Sequence, residues 1–255
     1  MMKKRFRSAR PGLAGAALFL ALLAPGLLAA QIPPPPRAAP AAPSPATIHR
    51  YRYARLDATG RRTGEITMEL RQEGGRLELD SIETPGNHEH AWLDQGMVQT
   101  RVSIEAPAGA AASNRLYALD AEGNAWLVQG GPAPRVARGR DSVLGDRSFF
   151  FILPRLIDLR RPGAEATLGL ILPSRGRQAT MRLRSSGLVT APDAAGRARQ
   201  AYKATLDLAD PLLRLLWPYT YCYYYLADDL VFLRYEGPDE ARKPSSIALL
   251  AEGGP

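Results

Sequence analysis

The chain has 255 residues, a formal net charge of +8, 45% hydrophobic residues, 22 prolines, 23 glycines and a single cysteine. This is ordinary globular composition and excludes collagen-like, mucin-like and wholly disordered chains. Five basic residues (Lys3, Lys4, Arg5, Arg7, Arg10) and no acid fall within residues 1–30, so the remainder carries only +3 and does not advertise nucleic-acid binding.

Residues 1–30 read as an export signal, with a basic start, an apolar stretch from Leu13 to Leu23, a Pro25-Gly26 break and small residues at Ala29 and Ala30. The apolar stretch is short for a transmembrane span, so cleavage near Ala30 and a chain that does not span the membrane are expected. A retained inner-membrane anchor is the other reading. The only cysteine, Cys222, is far from the cut, so the chain is not expected to be a lipoprotein, and one cysteine permits no internal disulfide. Residues 31–47 hold seven prolines in 17 positions and read as an extended spacer. A single domain is expected over residues 48–250, with 251–255 as a tail; about 200 residues suffice to bury a core without staples.

From Ile48 onward the hydrophobic period is two. Ile66, Met68 and Leu70 alternate with Glu65, Thr67, Glu69 and Arg71, a Glu73-Gly74-Gly75 turn follows, and Leu77 and Leu79 alternate with Glu78 and Asp80. Such a pattern predicts a hairpin with one face in a core and one in water. It recurs over Gln178–Ser185 and Arg199–Leu208. Turn signals punctuate the runs at 57–64, 94–96, 121–124, 130–134, 173–176, 192–196, 227–229 and 237–244. No alternation of strands with long amphipathic helices is seen, so the fold class expected is mainly β and antiparallel.

One segment breaks the period. Ser148–Arg161 is apolar nearly all round at first and amphipathic afterwards, with Asp146 or Ser148 as N-cap and basic residues at its end. Pro154 removes a helical hydrogen bond, so the segment is read as a short, kinked helix covered by a curved sheet.

The Arg50-Tyr51-Arg52-Tyr53 strand, the 57–64 turn followed by Glu65-Ile66, the mid-chain apolar helix, and the closing Trp217-Pro218-Tyr219-Thr220-Tyr221 and Leu233-Arg234-Tyr235-Glu236-Gly237 segments together resemble uncharacterised periplasmic proteins of Gram-negative bacteria. These are grouped as a domain of unknown function and are broadly similar to the Lol-type lipoprotein carriers. The resemblance implies an antiparallel sheet curled as a half-barrel or open barrel around helical segments, with an apolar concave face. It implies no catalytic residues.

Two clusters are candidates for function. In the first, Trp217, Tyr219, Tyr221, Tyr223 and Tyr225, with Tyr202 on a neighbouring run, would place a tyrosine row on one strand face. Such a row suits a lipid, isoprenoid, lipoprotein or glycan, and equally a half-exposed pleated strand. In the second, His88 and His90 flank Glu89, and an H-x-H pair on a strand points both rings one way, as a metal site requires, with His49 or Asp94 as further ligands. Ser185 and Ser186 precede a glycine at the end of an alternating run, and Asp228-Asp229 reads as turn chemistry. No hydrolase elbow, metalloprotease helix, phosphate loop or dinucleotide fingerprint occurs, so no cofactor is expected. The sequence therefore points to a periplasmic, non-catalytic protein that holds an apolar or amphipathic molecule. The alternatives are an envelope adaptor acting through protein contacts and a hydrolase or metal protein built on His88 and His90.

Overall fold

The computed structural model describes residues 47–73, 75–96, 98–106, 115–119, 125–129, 142–145, 147–172, 177–239 and 242–253. The leader, most of the proline-rich spacer, Asp146 and the turns expected at 121–124, 130–134 and 173–176 lie outside the described residues. The strands are β1 (Thr47–Asp57), β2 (Arg62–Glu73), β3 (Arg76–Thr84), β4 (His88–Leu93), β5 (Gln99–Glu105), β6 (Arg115–Leu119), β7 (Ala125–Gln129), β8 (Ser142–Leu144), β9 (Glu165–Leu172), β10 (Arg177–Pro192), β11 (Ala198–Leu208), β12 (Tyr221–Leu226), β13 (Phe232–Pro238) and β14 (Pro244–Gly253). Two helices interrupt them, α1 (Phe149–Leu156) and α2 (Pro211–Leu216).

All 14 strands form one sheet in the order β7-β6-β5-β4-β3-β2-β1-β14-β13-β12-β11-β10-β9-β8. The sheet is open and antiparallel throughout except where β8 runs parallel to β9. Its first and last strands meet in the middle of the order, because β1 pairs with β14 from Arg50↔Gly253 to Asp57↔Ser245. That pairing carries β14 to Gly253, past the expected end of the domain at residue 250.

Alternation sets the two faces. Ile66, Met68 and Leu79 are buried on the concave side, while Glu65 and Glu69 of β2 pair with Arg52 and Arg50 of β1 on the convex side. The expected hairpin of β2 and β3 is present with Leu70 opposite Leu79. The 178–185 run differs: its strand, β10, continues to Pro192 through a bulge at Ser185/Gly187. Ser-Ser-Gly reads as a strand end, yet Gly187 adopts a φ of +76° that carries the chain onward, and a Cβ there would meet Pro162 Cγ at 2.6 Å. The buried Ser185 hydroxyl donates to the Leu159 carbonyl at 2.7 Å and accepts from the Gly187 amide at 3.1 Å, so this serine pins the 157–164 loop.

The curl brings β8 at one end of the sheet alongside β5. Gln99, 2% exposed, accepts from the Leu144 amide at 2.6 Å and donates to the Leu144 carbonyl at 3.0 Å, standing in for a strand partner. Its amide also donates to the Ser148 hydroxyl at 2.7 Å. Ser148 is thus the residue before α1 as expected, but its side chain is engaged by Gln99 and makes no cap bond to the helix.

Helix α1 fills the middle of the concave face with Phe149, Phe150, Ile152 and Leu153. Pro154 lies inside it and has no N–H to offer the Phe150 carbonyl four residues back. The Tyr225 hydroxyl supplies the missing donor at 2.9 Å, from a side chain with no exposed surface. Tyr225→Phe should therefore cost about 1–3 kcal/mol in urea unfolding, the penalty of a buried carbonyl left without a partner. A loss below about 0.5 kcal/mol would show that the carbonyl finds another donor.

The second helix, α2, was not expected. Asp210 caps it, accepting from the Leu212 and Leu213 amides at 2.8 and 3.3 Å, and Pro211 takes the first-turn position that needs no N–H donor. Among the described residues no helix is long and apolar enough to cross a membrane.

Candidate functional site

The tyrosine row begins later than the sequence suggests. Pro218 keeps residues 217–220 out of the strand, so Tyr219 is not part of β12; its ring packs edge-on against Trp217 at 5.0 Å. Tyr221, Tyr223 and Tyr225 do share the concave face, at increasing depth. Tyr221 is half-buried, Tyr223 is 6% exposed and lies edge-on to Phe149 at 5.5 Å, and Tyr225 sits behind α1. Tyr202, opposite Tyr225 on β11, is half-buried against the core.

On the convex face, Tyr224 donates to Glu236 at 2.9 Å and Lys203 lies 5.5 Å over its ring. Cys222 also faces outward and, with Tyr219, Arg234 and Glu236, lines a shallow groove of about 620 Å³. Burial, opposed by nearby Lys203, raises the Cys222 thiol above its ordinary range, which makes it a poor nucleophile.

Burial pushes the Tyr223 and Tyr225 phenols well above the usual value. Burial also raises Tyr117, Tyr224 and Tyr235, with Glu236 adding to the shift at Tyr224. A phenol raised by folding stabilises the native state fully below its unfolded pKa of about 10, and that contribution is lost as pH climbs beyond it. Of the ten tyrosines, these five should ionise only together with unfolding, as a cooperative step above about pH 10 in the 295 nm absorbance. A smooth titration of all ten with unchanged far-ultraviolet circular dichroism would contradict it.

The histidine cluster is divided by the pleat. His88 and His90 do face the same, convex, side, but Glu89 between them points into the concave face. His88 Nε2 meets Asp80 Oδ1 at 2.6 Å, His90 stacks on Trp92 at 4.0 Å, and Glu78 Oε2 and Glu105 Oε2 stand 3.8 Å from His90 and His88 respectively. His49 instead stacks on Tyr51, and Asp94 accepts from the Gly96 and Val98 amides of its own turn. Among the described residues no group of three His, Cys, Asp or Glu side chains is arranged to hold a metal ion. Ser185 is committed to the loop it pins, and Asp229 accepts from the Val231 amide in the turn before β13.

What the sequence does not disclose is a buried charge cluster on the concave face. Arg147, 8% exposed and just before α1, reaches across to β3 and β4. Its guanidinium pairs with Glu83 and lies 3.6 Å from Glu89 Oε1, its amide donates to Glu89 Oε2 at 2.9 Å, and its Nη1 donates to the Asn87 carbonyl at 3.3 Å. Glu83 is shared with Arg55 of β1. The buried Arg147, Glu83 and Glu89 therefore balance one another, with the half-exposed Arg55 completing the charge count from the edge of the cluster.

Beside this cluster the concave face is not filled. A cavity of about 520 Å³ opens at the end of the curl where β11 passes through α2 into β12. Phe149, Phe150, Leu170, Leu206, Trp217, Tyr221, Tyr223, Tyr235 and Ile247 supply its apolar lining. Arg55, Glu89, Arg147, Asp239 and Ser245 add polar groups to the lining, Arg55 lying opposite Ile247 in the β1–β14 pairing. The Trp217 indole donates to the Tyr221 hydroxyl at 3.3 Å, which holds the ring at the cavity. Of the aromatic residues singled out from sequence, Trp217, Tyr221 and Tyr223 line the cavity and Tyr202, Tyr219 and Tyr225 do not.

No family model and no curated protein matches this chain. Among solved structures it is similar to a chain of the Pseudomonas aeruginosa MucA/MucB complex, at 13% identity and a TM-score of 0.35 over 82% of this chain and 53% of that one. The chain thus spans about half the length of that neighbour. It is similar to the hypothetical lipoprotein YmcC of Escherichia coli, at 14% identity and a TM-score of 0.32 over 82% of this chain and 85% of that one. A chain described as a lipoprotein of Parabacteroides distasonis follows at 11% identity and a TM-score of 0.28, covering 80% and 94%. These are likenesses at low identity, and no activity passes from them to this chain.

Proposed function

We propose that this is an exported, periplasmic envelope protein that binds an amphipathic molecule, such as a lipid or an isoprenoid, in the cavity at the open end of its curled sheet. The observation that carries this reading is the mixed lining of the cavity: about 520 Å³, with aromatic and aliphatic side chains beside Arg55, Arg147, Glu89 and Asp239. Its volume falls within the range of small-molecule sites, and burial of an apolar tail would supply the driving force. The charged side chains in the lining would orient a polar head. Among its described lining residues no nucleophile is paired with a base, and binding is the reading the lining supports.

A fluorescent apolar probe such as N-phenyl-1-naphthylamine should bind the purified chain and be displaced by a long-chain fatty acid. Ile247→Trp, which adds bulk from the cavity wall, should weaken the probe about tenfold or more through lost apolar burial while leaving a cooperative melt. Equal binding by Ile247→Trp would place the probe elsewhere. A second reading rests on α1: it fills the centre of the concave face, as expected of an adaptor that works through protein contacts. Failure of the chain to take up any probe would favour that one.

A further inference from the structure

Helix α2 is inverted. An ordinary surface helix turns its apolar side to the protein and its charges to water. Here Arg214 folds back, its guanidinium donating to the Leu208 carbonyl at 2.9 and 3.2 Å, while Leu212, Leu213, Leu215 and Leu216 are 74, 50, 79 and 81% exposed. They supply four of the seven large apolar side chains exposed among the described residues. At helical spacing they fan over roughly 160° of arc, so the element is a convex knob rather than a flat face. The Asp210 carboxylate beside it accepts the capping bonds and keeps its charge. Trp217 and Tyr219 stand at its base with Arg242 stacked 4.9 Å over the indole, so an arginine and two amphipathic rings lie beside the leucines.

We propose that α2 with Trp217 and Tyr219 is a docking knob that seats in the headgroup–acyl boundary of a phospholipid bilayer. Fluid hydrocarbon envelops a convex apolar tip from every side. Tryptophan, tyrosine and arginine are the groups that settle at headgroup level around inserted leucines, where Arg242 meets anionic phosphates. Trp217 also lines the cavity, so docking brings the cavity mouth to the lipid. This last link rests on the ligand-binding reading; the docking itself rests on the leucines.

The test uses the full chain and vesicles of phosphatidylethanolamine and phosphatidylglycerol. An environment-sensitive nitrobenzoxadiazole label on Leu215→Cys, in a Cys222→Ser background, reads the knob alone and is blind to the apolar leader. Its emission should shift to the blue and rise on adding vesicles. The combined serine variant of Leu212, Leu213, Leu215 and Leu216 should keep the parent circular dichroism spectrum, the four side chains being exposed, and, with the N-terminal segment common to both proteins, should partition onto vesicles at least about tenfold more weakly. An unchanged emission, or equal partition of the two proteins, overturns the proposal. So does a label that responds only to protein concentration, with the serine variant turning a dimer into a monomer, because the knob would then cover a second copy. Probe uptake in the cavity is measured on the parent chain: uptake without vesicle docking sinks the knob alone, and docking without uptake sinks the cavity reading alone.

Discussion

Replacing Arg147 with methionine is expected to destabilise the protein by about 3–5 kcal/mol, the cost of removing one partner from a buried ion cluster. Glu89 would lose both the guanidinium at 3.6 Å and its compensation, and Glu83 would keep only the half-exposed Arg55. The direction of a second experiment separates charge from packing. Arg147→Met combined with Glu83→Gln and Glu89→Gln removes the stranded charges, and should recover at least half of the loss in urea unfolding, because neutral replacements of a whole buried cluster are often tolerated. A single-variant loss under about 1 kcal/mol would mean that water reaches the cluster freely, as for a surface pair.

Phe150→Ala should cost about 3–5 kcal/mol, the usual range for a buried phenylalanine. Phe150 stacks on Phe232 with ring centroids 4.2 Å apart and meets Tyr223 and Tyr235 at 6.1 and 6.3 Å, so its loss removes the layer between α1 and the strands β12 and β13. It also forms part of the cavity wall. The variant should therefore accept bulkier apolar probes than the parent chain even as its melting temperature falls. A cost below about 1.5 kcal/mol would say that α1 does not pack on the sheet as described, since that is what a conservative core exchange costs.

Much of the architecture was legible because alternation is a local signal. Ile66, Met68 and Leu70 face the core for the reason the sequence suggests: a pleated strand sends neighbours to opposite sides. The same rule separates Glu89 from His88 and His90, although adjacency in sequence makes the three look like one site. Depth was not legible. Tyr221, Tyr223 and Tyr225 share a face, but only α1 decides that Tyr225 is sealed and Tyr221 reaches the cavity.

The charge cluster was invisible for a different reason. Arg147 and Glu83 are 64 residues apart, and each alone resembles a solvated surface charge. Only the curl of the sheet brings them together. Helix α2 had readable signals in Asp210 and Pro211, but a Leu-Leu-Arg-Leu-Leu run reads as core, and nothing local says that its one arginine turns inward and its leucines outward. Ser185 failed as a strand end because the bulge at Gly187 depends on Pro162 and Leu159 packing beneath it.

The most direct measurement is native mass spectrometry of the protein recovered from the cell envelope without detergent, followed by organic extraction of whatever it carries. The cavity predicts one amphipathic molecule per chain, held by the parent protein and absent from Ile247→Trp. A parent chain that flies at its bare mass, and takes up no fatty acid or apolar probe when offered, would contradict the account.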